Sequence, residues 1–161
     1  MAMTMKTEGL AELSSRISRL ADKAELVAKK SLFKGAGVVA DAFGQAVSSI
    51  KTEPFQGKKD MRLPSPEEKG ALVGRTGIAV FKGTGSEINT LIGVTEAGGY
   101  TYIGGRKVAV REIARSINSG TSFMQKQPVF RRAASKAKTS ATQEMIREAD
   151  EIFEEIINGS G

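Results

Sequence analysis

The chain offers few side chains with which to do covalent or metal chemistry. Its 161 residues contain no histidine, no cysteine and no tryptophan. Without cysteine there are no disulfides, thiolate nucleophiles or thiolate metal sites, and without histidine the commonest general base and metal ligand are gone. A reaction centre would have to be built from Asp, Glu, Lys, Ser or Tyr, and no pair of these has a spacing that points to one. Neither a catalytic residue, a metal nor a cofactor is expected. Three glycine-rich stretches invite comparison with phosphate-binding loops. Gly35-Ala36-Gly37-Val38-Val39-Ala40 fits a dinucleotide fingerprint in letters alone, because helical periodicity runs through it on both sides where a strand should precede it. Gly83-Thr84-Gly85 and Gly104-Gly105-Arg106-Lys107 lack the Gly-Lys-Ser/Thr ending of a phosphate loop and read as turns.

Charge and exposed apolar groups remain as the chemistry available. The net charge of +6 is compatible with a polyanion partner and equally with a well-solvated surface. Cations gather at Lys58, Lys59, Arg62, Arg131, Arg132 and Lys136, the set a nucleic-acid-binding accessory protein would use. Against that alternative stands the shortage of stacking aromatics: two tyrosines, both among glycines, and no tryptophan. The most unusual stretch is SINSGTSFMQKQPVFRRA, residues 116–133, where a polar turn leads into Phe123 and Met124, then a proline, an aromatic and paired arginines.

The elements that would position these residues follow from periodicity. Leu10, Leu13, Ile17 and Leu20 recur at three and four, predicting a helix over 7–20 capped by Thr7. Asp22 and Glu25 form a capping-box-like pair, so a second helix begins near Lys23, either after a kink or as a continuation. It carries a large stripe (Ala28, Leu32, Ala36, Val39, Phe43, Val47, Ile50) beside a small face (Ser31, Gly35, Val38, Ala42, Ala46), a pattern suited to burial and close backbone approach. Residues 51–75, with three prolines and no sustained period, read as a long loop, poorly ordered unless a partner holds it, and containing one short helix, Pro66 to Leu72, capped by Ser65. Gly77–Lys82 and Ile88–Val94 predict a hairpin; Tyr100–Ile103 is a third strand or the arm of a turn; Val108–Ser119 is helix-like. From Pro128 an apolar stripe through Ala134, Ala141, Met145, Ile152 and Ile156 predicts one helix over 128–157, about 45 Å long. That exceeds what such a domain needs, so part of it is expected to pack against another subunit.

Charge along this last helix is segregated. Residues 126–138 hold Lys126, Arg131, Arg132, Lys136 and Lys138 and no acid, whereas residues 139–161 hold Glu144, Glu148, Asp150, Glu151, Glu154 and Glu155 against Arg147. The order opposes the helix macrodipole. It suits neighbouring copies in a ring whose basic and acidic ends meet.

The fold expected is α+β in a single domain, 1–161: a small, mostly antiparallel sheet packed against a long N-terminal and a long C-terminal helix. No run is apolar enough to span a membrane and the N-terminus lacks the apolar core of a secretory signal, so a cytoplasmic setting is expected. With the pattern assembled, the chain resembles the tail-completion, or head-tail joining, proteins of tailed bacteriophages, typified by a tail component of a lambdoid phage. The resemblance runs through Gly9-Leu10-Ala11-Glu12-Leu13, Lys34-Gly35-Ala36 and Val38-Val39, Gly70-Ala71-Leu72 and Ile92-Gly93-Val94. It is most specific where Gly120-Thr121-Ser122 leads to Gln127-Pro128-Val129-Phe130-Arg131-Arg132-Ala133. The chain departs from the family pattern at Val129 and Arg132, at Ile117-Asn118-Ser119 before the turn, and in only loosely echoing a Pro-x-Thr-Gly element over Pro64 to Leu72.

The resemblance implies a structural virion protein and no enzyme. It would be a homo-oligomeric ring, a hexamer, at the neck of the particle between head-closure and tail-terminator or tube proteins, with DNA passing through its channel unbound, the chain itself being made in the bacterial host cytoplasm. On this reading Phe123, Met124 and Phe130 make apolar contacts at the joint and Arg131 and Arg132 meet partner carboxylates. Gly120, Thr121 and Pro128 set its corner, and the 51–75 loop touches the adjacent ring.

Overall fold

The computed structural model describes residues 10–52, 61–83, 87–94 and 99–158, with side chains from residue 14 onward. It is α+β: two long helices packed together, and two small antiparallel two-stranded sheets rather than one. Helix α1 spans Leu10–Ser48 without interruption. Asp22 and Glu25 therefore do not cap a second helix; residues 14–34 around them contain no glycine or proline to break the helix, and Glu25 reaches forward to Lys29 at 2.6 Å instead. Ser48 and Ser49 end α1 by turning their hydroxyls onto the carbonyls of Gln45 and Ala46.

Helix α2, Pro66–Gly70, starts at a reciprocal cap: the Glu68 amide donates to Ser65 Oγ (3.1 Å) and the Ser65 amide to Glu68 Oε2 (2.7 Å). Strands β1, Thr76–Ile78, and β2, Ile92–Val94, form the expected hairpin, pairing Thr76 with Val94 and Ile78 with Ile92. Farther out Lys82 pairs with Asn89, a register shifted by one residue, so Val80 and Phe81 bulge opposite Thr90. Tyr100–Ile103 is a strand, β3, paired with β4, Arg106–Ala109, across a turn where Gly104 and Gly105 both have positive φ (54° and 77°). Val108 and Ala109 thus belong to β4, and α3 is the shorter Val110–Ser119. Helix α4 runs Val129–Asn158, within a residue of expectation at each end.

Helices α1 and α4 lie antiparallel. Phe43 meets Phe130 edge-on at 5.4 Å between ring centroids; Val27 packs with Ile152 and Ile156 at the other end. Between them small residues allow close contact: a Cβ on Gly35 would overlap Met145 Cγ and lie 3.0 Å from the Ala141 carbonyl oxygen. The apolar stripe of α4 is therefore answered by α1 of the same chain. The overhanging helix is α1, whose residues 14–19, Ile17 included, are exposed.

The main core lies at the opposite end, where Val47 of α1, Ile50 just beyond it, Leu72, Val110, Ile113 and Ile117 of α3, and Met124 enclose one another. This core fixes the corner between α3 and α4.

Candidate joint at the corner between the last two helices

Gly120 ends α3. Its φ of 76° is favourable only to glycine, and a Cβ there would sit 3.0 Å from Lys126 Cβ and 3.1 Å from Lys126 N. Thr121 then closes a tight loop, its hydroxyl oxygen accepting from the Met124 amide (3.0 Å) and its own amide donating to the Met124 carbonyl (3.0 Å). The Gln127 amide returns to the Ile117 carbonyl at 2.8 Å, and Pro128 supplies its carbonyl to the Arg132 amide, the first bond of α4.

The expected loop over 51–75 grips this corner. The Arg62 amide donates to the Phe123 carbonyl (2.8 Å) and the Arg62 carbonyl accepts from the Gln125 amide (2.9 Å), a short parallel bridge. Leu63, Pro64 and Leu72 are buried beside it. The Gln127 side chain clasps Lys51 from both sides, accepting its amide N–H at 2.9 Å and donating to its carbonyl at 2.8 Å. Lys69 Nζ donates to the carbonyls of Ser48 (2.7 Å) and Ile50 (2.9 Å), closing the end of α1. Residues 61–75 are thus held by the chain itself and need no partner to order them, a correction to the sequence reading; positions 53–60 lie outside the described residues.

Arg62 and Glu68 form a part-buried ion pair at the corner, with Nη1 to Oε2 and Nη2 to Oε1 both at 2.6 Å. Burial pushes the Glu68 carboxyl up, but the Arg62 guanidinium and the Ser65 amide outweigh it and hold the group below its ordinary 4.5. Arg62 is therefore committed within the chain. Among the described residues no group of three or more acidic side chains could hold a metal ion.

The residues singled out by sequence separate into two sets. Phe123 projects from the loop, 58% exposed, while the adjacent Met124 is 2% exposed and belongs to the core. Met124 cannot make an intersubunit contact in this fold: the Thr121 turn aims consecutive side chains in opposite directions. Phe130 and Pro128 are half-buried, and Phe130 packs edge-on against Phe43 of the same chain. Arg131 and Arg132 are exposed at the start of α4, as is Lys136 one turn on. Lys58 and Lys59 lie outside the described residues. Sequence reasoning missed the Arg62–Glu68 pair, although the Ser-Pro-Glu-Glu cap announced where Glu68 would point; nothing in the sequence announced the Gln127 clasp.

Next to the corner a groove of about 1080 Å³ opens between the second half of α1 and the first half of α4. Its floor is small and apolar, with Val38, Ala42, Ala46, Ala133 and Ala137, and its edges carry Lys51, Lys126, Arg132 and Lys136 against the single acid Asp41. At the far end of the helix pair a shallower apolar groove of about 470 Å³ is lined by Leu32, Ile88, Ile146 and Phe153. The acids of α4 are partly answered in cis: Arg147 bonds Glu144 and Glu151, and Glu148 sits 3.7 Å from Lys34. No helix among the described residues is long and apolar enough to cross a membrane. Comparisons with protein families, with curated proteins and with solved structures return no match to this chain.

Proposed function

We propose that this chain is a structural subunit of a tailed phage or phage-like particle, forming a ring at the neck that completes the upper end of the tail and joins it to the head. The observation that carries the reading is the corner, where the resemblance to head-tail joining proteins is also strongest. Phe123, a large apolar side chain, is held in solvent by a loop pinned from within by Thr121 and from outside by Arg62. A loop that rigid presents an apolar group at little entropic cost on binding, the property of an interface anchor. The exposed cations Arg131 and Arg132, in the first turn of the helix that follows the loop, would supply the polar rim that such an anchor needs.

The test is Phe123→Asp. The exposed position lets the fold and Tm stand, while tails fail to join heads in particles carrying the change. Normal joining in those particles defeats the proposal.

A second reading, binding of nucleic acid, is favoured by the cations along the groove. It has lost Arg62 to Glu68 and keeps Arg131, Arg132 and Lys136. Its signature is affinity for generic duplex DNA that falls steeply with salt; undetectable binding at low salt ends it.

A further inference from the structure

Two surfaces at opposite ends of the helix pair complement one another. In the groove by the corner, Lys51, Lys126, Arg132 and Lys136 surround an apolar floor, and none of the four carries an ion pair among the described residues. Unpaired cations around an apolar trough fit an amphipathic segment with an apolar ridge and flanking carboxylates. The second half of α4 bears such a segment. Ile146, Asp150, Phe153 and Glu154 recur at three and four, which sets them on one flank of the helix. Ile146 is 55% and Phe153 37% exposed, large apolar groups left uncovered by the fold. Asp150 and Glu154 are exposed beside them and have no ion pair among the described residues, unlike Glu144, Glu148 and Glu151.

We propose that the Ile146–Glu154 stripe of one copy seats in the groove rimmed by Arg132 and Lys136 of the next copy. The inference rests on the ring reading above and names the surfaces that close the ring. The groove involves the first half of α4 and the stripe the second; Asp150 stands 18 residues beyond Arg132 and Glu154 18 beyond Lys136, about 27 Å along the helix, so one molecule cannot satisfy its own pair. The contact is head-to-tail, the kind that generates a closed ring when the rotation closes. The charge order of α4, unfavourable to the helix dipole, then has a cause: the basic end borders the receiving groove and the acidic end is inserted. Seating the stripe covers both uncovered apolar residues and pairs Asp150 and Glu154 with cations of the neighbour.

The test uses two double variants of the full chain, Arg132→Glu with Lys136→Glu, and Asp150→Lys with Glu154→Lys. All four side chains are exposed, so circular dichroism and Tm serve to show that each variant folds. Native mass measurement at low salt is expected to find oligomers for the unaltered chain and monomers for either variant alone. An equimolar mixture of the two variants is expected to recover oligomers, because each reversed surface then meets a reversed partner. Either variant assembling like the unaltered chain, or a mixture that stays monomeric, overturns this pairing while leaving a ring joined through other surfaces intact. An unaltered chain that stays monomeric at every concentration overturns the pairing and self-assembly together. Retardation of duplex DNA that disappears with Arg132→Glu and Lys136→Glu, while oligomer mass is unchanged, reassigns these cations to phosphate and also overturns it.

Discussion

Two glycines two residues apart in α1 should respond in opposite directions to alanine. Both are helical, and replacing glycine by alanine within a helix stabilises by about 1 kcal/mol through backbone entropy alone. At Gly37 nothing lies within 4 Å of the new methyl, so Gly37→Ala should collect that gain. At Gly35 the methyl would overlap Met145 Cγ, fall 2.7 Å from its Sδ and lie 3.0 Å from the Ala141 carbonyl oxygen. Met145 must leave its rotamer and α4 must shift, because the carbonyl belongs to a helix backbone that cannot fold aside. Overpacking of this kind costs about 1–3 kcal/mol, which exceeds the propensity gain and leaves Gly35→Ala destabilised by roughly 1 kcal/mol. The two variants should therefore differ by about 2 kcal/mol, or roughly 4–8 °C in Tm for a chain of this size. Denaturant unfolding gives the same comparison directly. Adding Met145→Ala to Gly35→Ala removes the overlap with the Met145 side chain and leaves only the 3.0 Å contact with the Ala141 carbonyl, so the double variant should lose less than the sum of the single losses, by about 1 kcal/mol. Equal stabilisation by both alanines would refute the close packing of α1 on α4 and with it the antiparallel pairing of the two helices.

Gly120→Ala should cost about 1–3 kcal/mol, since alanine is strained at a φ of 76° and its methyl presses on the Lys126 backbone; unfolding by urea measures it. Met124→Ala should cost about 2–5 kcal/mol by opening a cavity among Ile117, Leu72 and Val110, whereas Phe123→Ala next to it should be near neutral in the same assay. Glu68 contributes stability that is present above its ordinary 4.5 and lost as pH falls through its lower folded value, because its carboxyl is held down on folding by Arg62 and the Ser65 amide. Stability measured from pH 6 to pH 3 should therefore decline on the acid side, and Glu68→Gln should lower stability by about 1–3 kcal/mol at pH 6 and flatten that decline.

Periodicity was a good guide wherever a helix had one apolar face. The stripe from Ala134 to Ile156 placed α4 almost to the residue, and the reciprocal Ser65–Glu68 cap placed α2. At Asp22 it left a kink and a continuation both open, and the continuation is what forms; it misled where β4 passed into α3 without a capping side chain, so that Val108 and Ala109 read as helix. The corner was legible as a turn but not in its packing. Phe123 and Met124 are adjacent and equally apolar in sequence; which one enters the core depends on the Thr121 hydroxyl bond and on Arg62, some sixty residues distant. Gln127 gave no local sign that it would grip Lys51, since that contact joins residues far apart and obeys no short-range rule. The long C-terminal helix has its intramolecular partner in α1, which was not visible in the sequence as one continuous helix from Leu10 to Ser48.

The central claim is tested most directly by locating this chain in images of assembled particles from its source, using a tagged copy. For a neck protein the tag gives density in a closed ring at the plane where head meets tail, with a central channel. A tag found elsewhere in the particle, or absent from it, rules out a place at the neck.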